Sequence, residues 1–189
     1  MNILITGANG QLGNEMRILS ARHAQHTYFF TDVEELDITS REAVNWFVKD
    51  NAIDIIVNCA AYTNVDKAES DEVLAHKINA LAVENLGISG ARVIHVSTDY
   101  VFSGDACVPY EETDKVAPRT AYGRTKLAGE ELLQVVCPEA IIIRTAWLYS
   151  TFGNNFVKTM LRLGQEREAL GVVFDQIGSP TYAADLAMA

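Results

Sequence analysis

Short apolar, β-prone runs alternate with helical stretches along almost the whole chain. Residues 2–6, 27–31, 54–60, 91–97 and 140–145 read as strands. Residues 11–21, 40–49, 71–87, 121–136 and 155–167 read as helices, and 171–174 as a further strand. Ser40 is placed to cap the second helix. In the third, Val73, Leu74, Ile78, Leu81, Ala82 and Leu86 recur at helical spacing. Strands such as Ile141-Ile142-Ile143 are apolar without alternation, the pattern of strands buried on both faces. Strand–helix alternation of this kind calls for right-handed crossovers, and so for a doubly wound parallel α/β sheet. The polar stretch 103–120, with Pro109 and Pro118, reads as a surface loop near the strand ends.

With 189 residues the chain is long enough for one large core. It carries 15 basic and 25 acidic residues, a net charge of −10. Phosphate backbones and anionic membrane surfaces repel such a chain, so nucleic-acid and membrane roles are disfavoured. Small anions remain bindable through backbone amides. Cys59, Cys107 and Cys137 are odd in number and form no C-x-x-C pair, which points to neither a disulfide framework nor a zinc site. The expected setting is the reducing cytoplasm. The opening Met1-Asn2-Ile3-Leu4-Ile5 reads as a strand, not a signal peptide. The last residues, Asp185 to Ala189, read as a helix that is just opening, so the chain is expected to stop inside an element.

Gly7-Ala8-Asn9-Gly10-Gln11-Leu12-Gly13 joins the first strand to the first helix. Gly7 allows the tight turn, Gly10 lets a pyrophosphate approach the backbone, and Gly13 lets the helix pack on the sheet. The helix start supplies free amides to phosphate. This context points to dinucleotide binding in a Rossmann-like domain. Asp32 closes the second strand, where an acid can hold the adenosine ribose, and Asp37-Ile38 stand where they can flank the adenine. The glycine turn holds no Arg or Lys, so a 2′-phosphate would meet a carboxylate and no cation. NADH is therefore expected to be favoured over NADPH, with both cofactors admitted.

Tyr122 and Lys126 lie one turn apart at the start of a helix. An ammonium beside a phenol lowers its pKa toward the range useful for acid–base work. Thr98, at the end of the fourth strand, can hydrogen-bond a substrate carbonyl oxygen as it gains charge. A glycine turn, a strand-end hydroxyl and Tyr-x-x-x-Lys in this order are jointly specific.

The same residues resemble the extended short-chain dehydrogenase/reductase superfamily. More narrowly, the chain is similar to the dTDP-4-dehydrorhamnose reductases. The narrower likeness rests on Asn58 to Glu69, Ser97 to Phe102, Tyr122 to Gly129, Arg144 to Trp147 and Gly153 to Phe156. The resemblance implies hydride transfer to C4 of a dTDP-linked 4-keto-6-deoxy sugar, for surface polysaccharide synthesis. It implies Tyr122 as acid, Lys126 as ribose anchor, and Thr98, Asp99 and Trp147 as sugar contacts. Gly10, Gln11, Leu12, Asp32, Asp37, Ile38, Ala61, Tyr62 and Thr63 fall where that family holds cofactor. Members continue past residue 189, so residues 150–189 are expected to begin the substrate-binding part. Members can form homodimers, some with Mg²⁺ at the contact. Glu15 matches one such ligand, but Ala184 stands where another is expected, and no metal is predicted.

Three rivals share the fold. A sugar-nucleotide dehydratase carries Thr-Asp-Glu after the fourth strand, but here Tyr100 replaces the glutamate. An epimerase keeps the same triad and is opposed only by the narrower markers. A non-catalytic regulatory subunit, like the reductase-like subunit of methionine adenosyltransferase, is opposed by intact Thr98, Tyr122 and Lys126. The four histidines show no ligand spacing, and His95, mid-strand, reads as a packed core residue.

Overall fold

The computed structural model describes residues 1–189. Five strands form one parallel sheet in the order β2-β1-β3-β4-β5: β1 (Asn2–Thr6), β2 (Thr27–Thr31), β3 (Ile55–Asn58), β4 (Arg92–Thr98) and β5 (Ile141–Thr145). The order turns back once, between β1 and β3. There the crossovers leave in opposite directions and open a crevice beyond the strand ends.

Side chains of successive strand residues point to opposite faces, and both faces of this sheet are apolar. Leu4, Ile56 and Val93 pack on one face against Val44 and Val48 of α2 (Arg41–Asp50), Leu86 of α5 (Ala82–Ile88) and Leu133 of α6 (Ala121–Val136). Ile3, Ile5 and Val57 point the other way, toward Met16 of α1 (Gln11–Ser20). The first cluster holds 13 buried residues and the second 3, so the core sits mainly on the α2–α5–α6 side. Ser40 caps α2 by accepting from the Ala43 amide.

The stretch expected as one helix over 71–87 is three pieces. These are α4 (Glu72–His76), a π-helical segment Lys77–Leu81, and α5. A short α3 (Val65–Ala68) precedes them. The widened turn carries Asn79, whose side chain accepts from Tyr62 N at 2.8 Å and donates to Tyr62 O and to Thr125 Oγ1, each at 3.1 Å. The extra residue in the π turn thus ties the loop after β3 to α6.

Beyond β5 the chain builds β6 (Leu148–Tyr149), α7 (Phe156–Glu166), β7 (Thr181–Tyr182) and α8 (Ala183–Met188). β6 pairs with β7 in a separate two-stranded parallel sheet. The expected strand at 171–174 is absent: Gly171 to Phe174 pair with nothing, and Phe174 is 99% exposed. β-propensity without a neighbouring edge leaves the backbone unpaired. No helix is long and apolar enough to cross a membrane.

Candidate active site

A cavity of about 1300 Å³ opens beyond the carboxyl ends of the sheet strands. Gly7 forms its floor at φ +61°, the left-handed region that favours glycine. A Cβ there would sit 2.7 Å from the Ala60 backbone, so the turn and the end of β3 interlock only with glycine. Gly13 does not line the cavity; a Cβ on it would meet Gly7 O and Ala8 Cα at 2.5 Å, which places α1 tightly against the turn. Gly10 takes the N-cap position and offers no side chain to the helix start. The first-turn amides, at Gln11, Leu12 and Gly13, have no intrahelical partner and remain available to an anion. These features fit a dinucleotide pyrophosphate.

Around that turn the structure gathers Gly7, Gly10, Gln11, Leu12, Asp32, Asp37, Ile38, Ala61 and Thr63 on the cavity wall. Asp32 accepts from the amides of Asn9 (3.2 Å) and Val33 (2.9 Å), while Glu35 accepts from Asp32 N at 2.8 Å. Two carboxylates therefore face the end of β2. Asp37 is held below the usual carboxylate range by hydrogen bonds from the Thr39 hydroxyl and amide. Tyr62 is a correction to the sequence reading. Its ring packs in the Ala68, Ala75 and Ala121 cluster, its hydroxyl faces Asp71 at 3.5 Å, and it does not line the cavity.

Thr98, Asp99, Tyr122, Lys126 and Trp147 converge at the other end of the same cavity. Thr120 caps α6 by accepting from Gly123 N at 3.0 Å, which sets Tyr122 in the first turn and Lys126 one turn on. Thr98 donates to Asp99 Oδ1 at 3.1 Å and accepts from Tyr100 N at 3.2 Å. Burial raises the Asp99 carboxyl, against the hydrogen bond from Thr98. Tyr100 packs edge-on to Tyr122 with ring centroids 5.6 Å apart. Trp147 adopts φ +49°, a rare conformation for a bulky residue and a mark of strain at functional positions. Its indole is 47% exposed, lines the cavity and lies against Gly178, so it is not a core aromatic.

Lys126 departs from the sequence expectation of a lysine that lowers the pKa of Tyr122. It is 1% exposed, and its Nζ donates to Val96 O at 2.8 Å and lies 3.1 Å from His95 Nε2. Burial pushes it down to about 8, against the pull of Glu130 toward the charged form. Burial pushes Tyr122 up to about 12; the Thr98 hydroxyl lowers it, while Asp99 and Tyr100 raise it. In the ligand-free chain the phenol is therefore a firmly protonated donor.

Three site-supporting residues escaped the sequence reading: Asn58, Asn79 and His95. His95 is indeed packed, at 0% exposure, but it touches Lys126. A lone polar residue in the centre of an apolar strand was the available signal. Gln11 also bridges to the segment after β5, donating to Leu148 O at 3.3 Å and accepting from Asn155 Nδ2 at 2.9 Å.

Known proteins share this fold. A crystal structure of a dTDP-4-dehydrorhamnose reductase from Clostridium acetobutylicum superposes with a TM-score of 0.95 at 48% identity, covering 100% of this chain and 68% of that one. The Bacillus anthracis dTDP-4-dehydrorhamnose reductase, solved in complex with NADP, gives 0.94 at 45% identity, with 99% and 68% covered. The Escherichia coli dTDP-4-dehydrorhamnose reductase is 48% identical over 195 residues, which cover 99% of this chain. The chain spans 64% of the length of that relative and of its Aggregatibacter actinomycetemcomitans counterpart. The model of the RmlD substrate binding domain family matches residues 1–189. A glycine turn under a crevice, a Thr–Tyr–Lys cluster at its far end and a family match over every residue place this chain in the RmlD substrate binding domain family.

Proposed function

We propose that the protein containing this chain is an NAD(P)H-dependent reductase that converts the 4-keto group of dTDP-4-dehydro-L-rhamnose to the alcohol of dTDP-L-rhamnose, a precursor of surface polysaccharide. The observation that carries this reading is the meeting of Thr98, Tyr122 and Lys126 in one cavity with the glycine turn. Relatives at 44–48% identity bearing the reductase name support the substrate class. A reduced nicotinamide, when bound, supplies hydride to the keto carbon.

The residues of the chain do the rest. Tyr122 holds a proton at neutral pH, because its phenol stands at about 12. As the keto carbon gains hydride, its oxygen becomes basic and takes that proton from Tyr122 Oη. Thr98 Oγ1, which donates to Asp99 in the free chain, turns its hydrogen to the same oxygen. Lys126 presents an N–H to the nicotinamide ribose from the floor of the crevice. Trp147 shields one side of the sugar. Asp32, on the cavity wall, would meet the adenosine ribose and favour NADH, while the NADP complex of the Bacillus anthracis relative supports NADPH as well. Residues 150–189 open the part that holds the nucleotide-sugar. Three cysteines with no disulfide pairing support a reducing, cytoplasmic setting.

The test is an assay of the protein with dTDP-4-dehydro-L-rhamnose and each reduced cofactor. Oxidation of cofactor in step with dTDP-L-rhamnose is the expected result. Sugar isomerisation without cofactor consumption would instead identify an epimerase. No turnover alongside altered kinetics of a partner enzyme would identify a regulatory subunit.

A further inference from the structure

Helix α1 does more than follow the glycine turn. Its first turn carries Gln11, and Glu15 lies one turn further on the same face. Both side chains reach across to the segment after β5. Gln11 Nε2 donates to Leu148 O at 3.3 Å, and Gln11 Oε1 accepts from Asn155 Nδ2 at 2.9 Å. Glu15 Oε1 accepts from Ser150 Oγ at 2.6 Å, across 135 positions of chain. Glu15 is 6% exposed and Ser150 5%, so water does not compete for this bond.

The direction of the bond follows from its neighbour. The Phe152 backbone N–H can only donate, and it lies 3.0 Å from Ser150 Oγ. Ser150 therefore accepts from Phe152 and directs its one hydrogen at Glu15. The length falls in the range of a hydroxyl donating to a carboxylate. The same turn is closed from its other side. Lys158 Nζ of α7 donates to Thr151 O at 2.7 Å and to Gly153 O at 2.8 Å, and Asn155 Nδ2 donates to Ser150 O at 2.8 Å. Gly153 takes φ +58°, and a Cβ on it would come within 3.0 Å of Gln11 Cγ. The turn thus lies directly on α1.

Trp147 stands at the start of this tied segment. Its carbonyl accepts from Thr181 N at 3.3 Å, and the next carbonyl along is the one that Gln11 holds. A bulky residue at φ +49° persists only where its surroundings over-determine it. We propose that Glu15 is a positioning residue of the substrate wall: through Ser150 it latches the 148–155 turn to α1 and so holds Trp147 beside the crevice. The consequence for the sugar rests on the reductase reading, in which Trp147 shields the substrate. Helix α1 then has two duties. Its first amides face the cofactor, and its side chains aim the wall that faces the sugar. Close packing of Gly13 on the glycine turn keeps the first duty independent of the latch.

Two measurements test the latch in the protein containing this chain. In protein labelled with 5-fluorotryptophan, the ¹⁹F resonance that vanishes in Trp147→Phe reports the wall. It is expected to shift or broaden in Glu15→Ala and in Ser150→Ala. It should keep its place in Glu15→Gln, whose amide oxygen still accepts from Ser150. An unmoved resonance in folded Glu15→Ala and Ser150→Ala proteins overturns the proposal, whether or not the protein reduces a sugar. The second measurement is steady-state kinetics. KM for dTDP-4-dehydro-L-rhamnose is expected to rise about tenfold in Glu15→Ala and in Ser150→Ala. The kcat and the NADH dissociation constant should stay within about twofold, and Glu15→Gln should keep the original KM. The double variant should be no worse than Glu15→Ala, because both changes remove one bond. Equal losses in kcat, KM and NADH affinity would mark general loosening and refute the latch. Loss of turnover in Glu15→Gln, matched by loss in the unaltered protein on chelation of Mg²⁺, would make Glu15 a metal ligand and refute it too. An unaltered protein that turns over no keto-sugar, with the ¹⁹F response intact, would instead sink the reductase reading and leave the latch in place.

Discussion

The sheet with its flanking α2, α5 and α6 and the segment after β5 are built on opposite principles. The first buries side chains on both faces of the central strands β1 and β3, and its main cluster contains 13 buried residues. In the second, from residue 148 onward, only Ser150 and Ala183 are buried. Its longest helix, α7, buries no residue, and Phe156, Val157 and Met160 on it line the cavity instead. Polar links hold this segment to the rest: Ser150 donates to Glu15 at 2.6 Å, and Asn155 donates to Gln11 at 2.9 Å. The contrast separates two tasks. The sheet side fixes Thr98, Tyr122 and Lys126 through its own packing. The later segment forms a wall whose apolar stripe faces an open space of ligand size.

The largest expected effect tests that separation at the chemistry. Tyr122→Phe removes the proposed acid but keeps the ring that packs against Tyr100. Turnover should fall by about 10²–10⁴-fold, while the dissociation constants for NADH and NADPH stay within about twofold. Equal turnover in the variant, measured under saturating cofactor, would mean that the proton comes from elsewhere. Next comes a matched pair in the two regions. Leu86→Ala empties a fully buried site and should cost about 2–5 kcal/mol in denaturant unfolding. Leu161→Ala removes a side chain that is 66% exposed and should cost less than about 0.5 kcal/mol. Similar losses at both sites would erase the distinction.

What could be read in advance follows the same division. The five strands, α2 and α6 were legible because apolar runs and periodicity record packing, most directly in β1 and β3, which are buried on both faces. Gly7 and the Tyr122–Lys126 spacing were legible because local backbone geometry demands them. The π turn was not, since a regular helical repeat runs through it; its cause lies in Asn79 bonds to Tyr62 and Thr125, far away in the chain. Val172, Val173 and Phe174 look like a strand by composition, yet no edge is there to receive them. His95 was readable as buried but not as a partner of Lys126, because a buried histidine looks the same in sequence whatever it touches.

The cofactor end supplies a subtler probe of the sheet side. Asp32 and Glu35 place two carboxylates at the end of β2. A 2′-phosphate brought there meets like charge at short range in partly exposed surroundings, a cost on the order of 1 kcal/mol. Asp32→Asn should raise the NADPH-to-NADH ratio of kcat/KM by about fivefold, with little change for NADH. An unchanged ratio would place the discrimination outside β2.

The smallest expected effect falls in the second region. Phe174 is 99% exposed, and Phe174→Ser should shift the unfolding free energy by less than about 0.5 kcal/mol. The informative comparison is hydrogen exchange with and without NADH. Amides of β1 and β4 lie in the sheet; those that open only with global unfolding should slow by the full binding stabilisation. Amides of 156–166 in α7, whose stripe faces the cavity, should slow in proportion to occupancy. If the sheet amides slow and the α7 amides do not, α7 opens without releasing the ligand. The apolar wall of α7 would then serve something other than the bound cofactor.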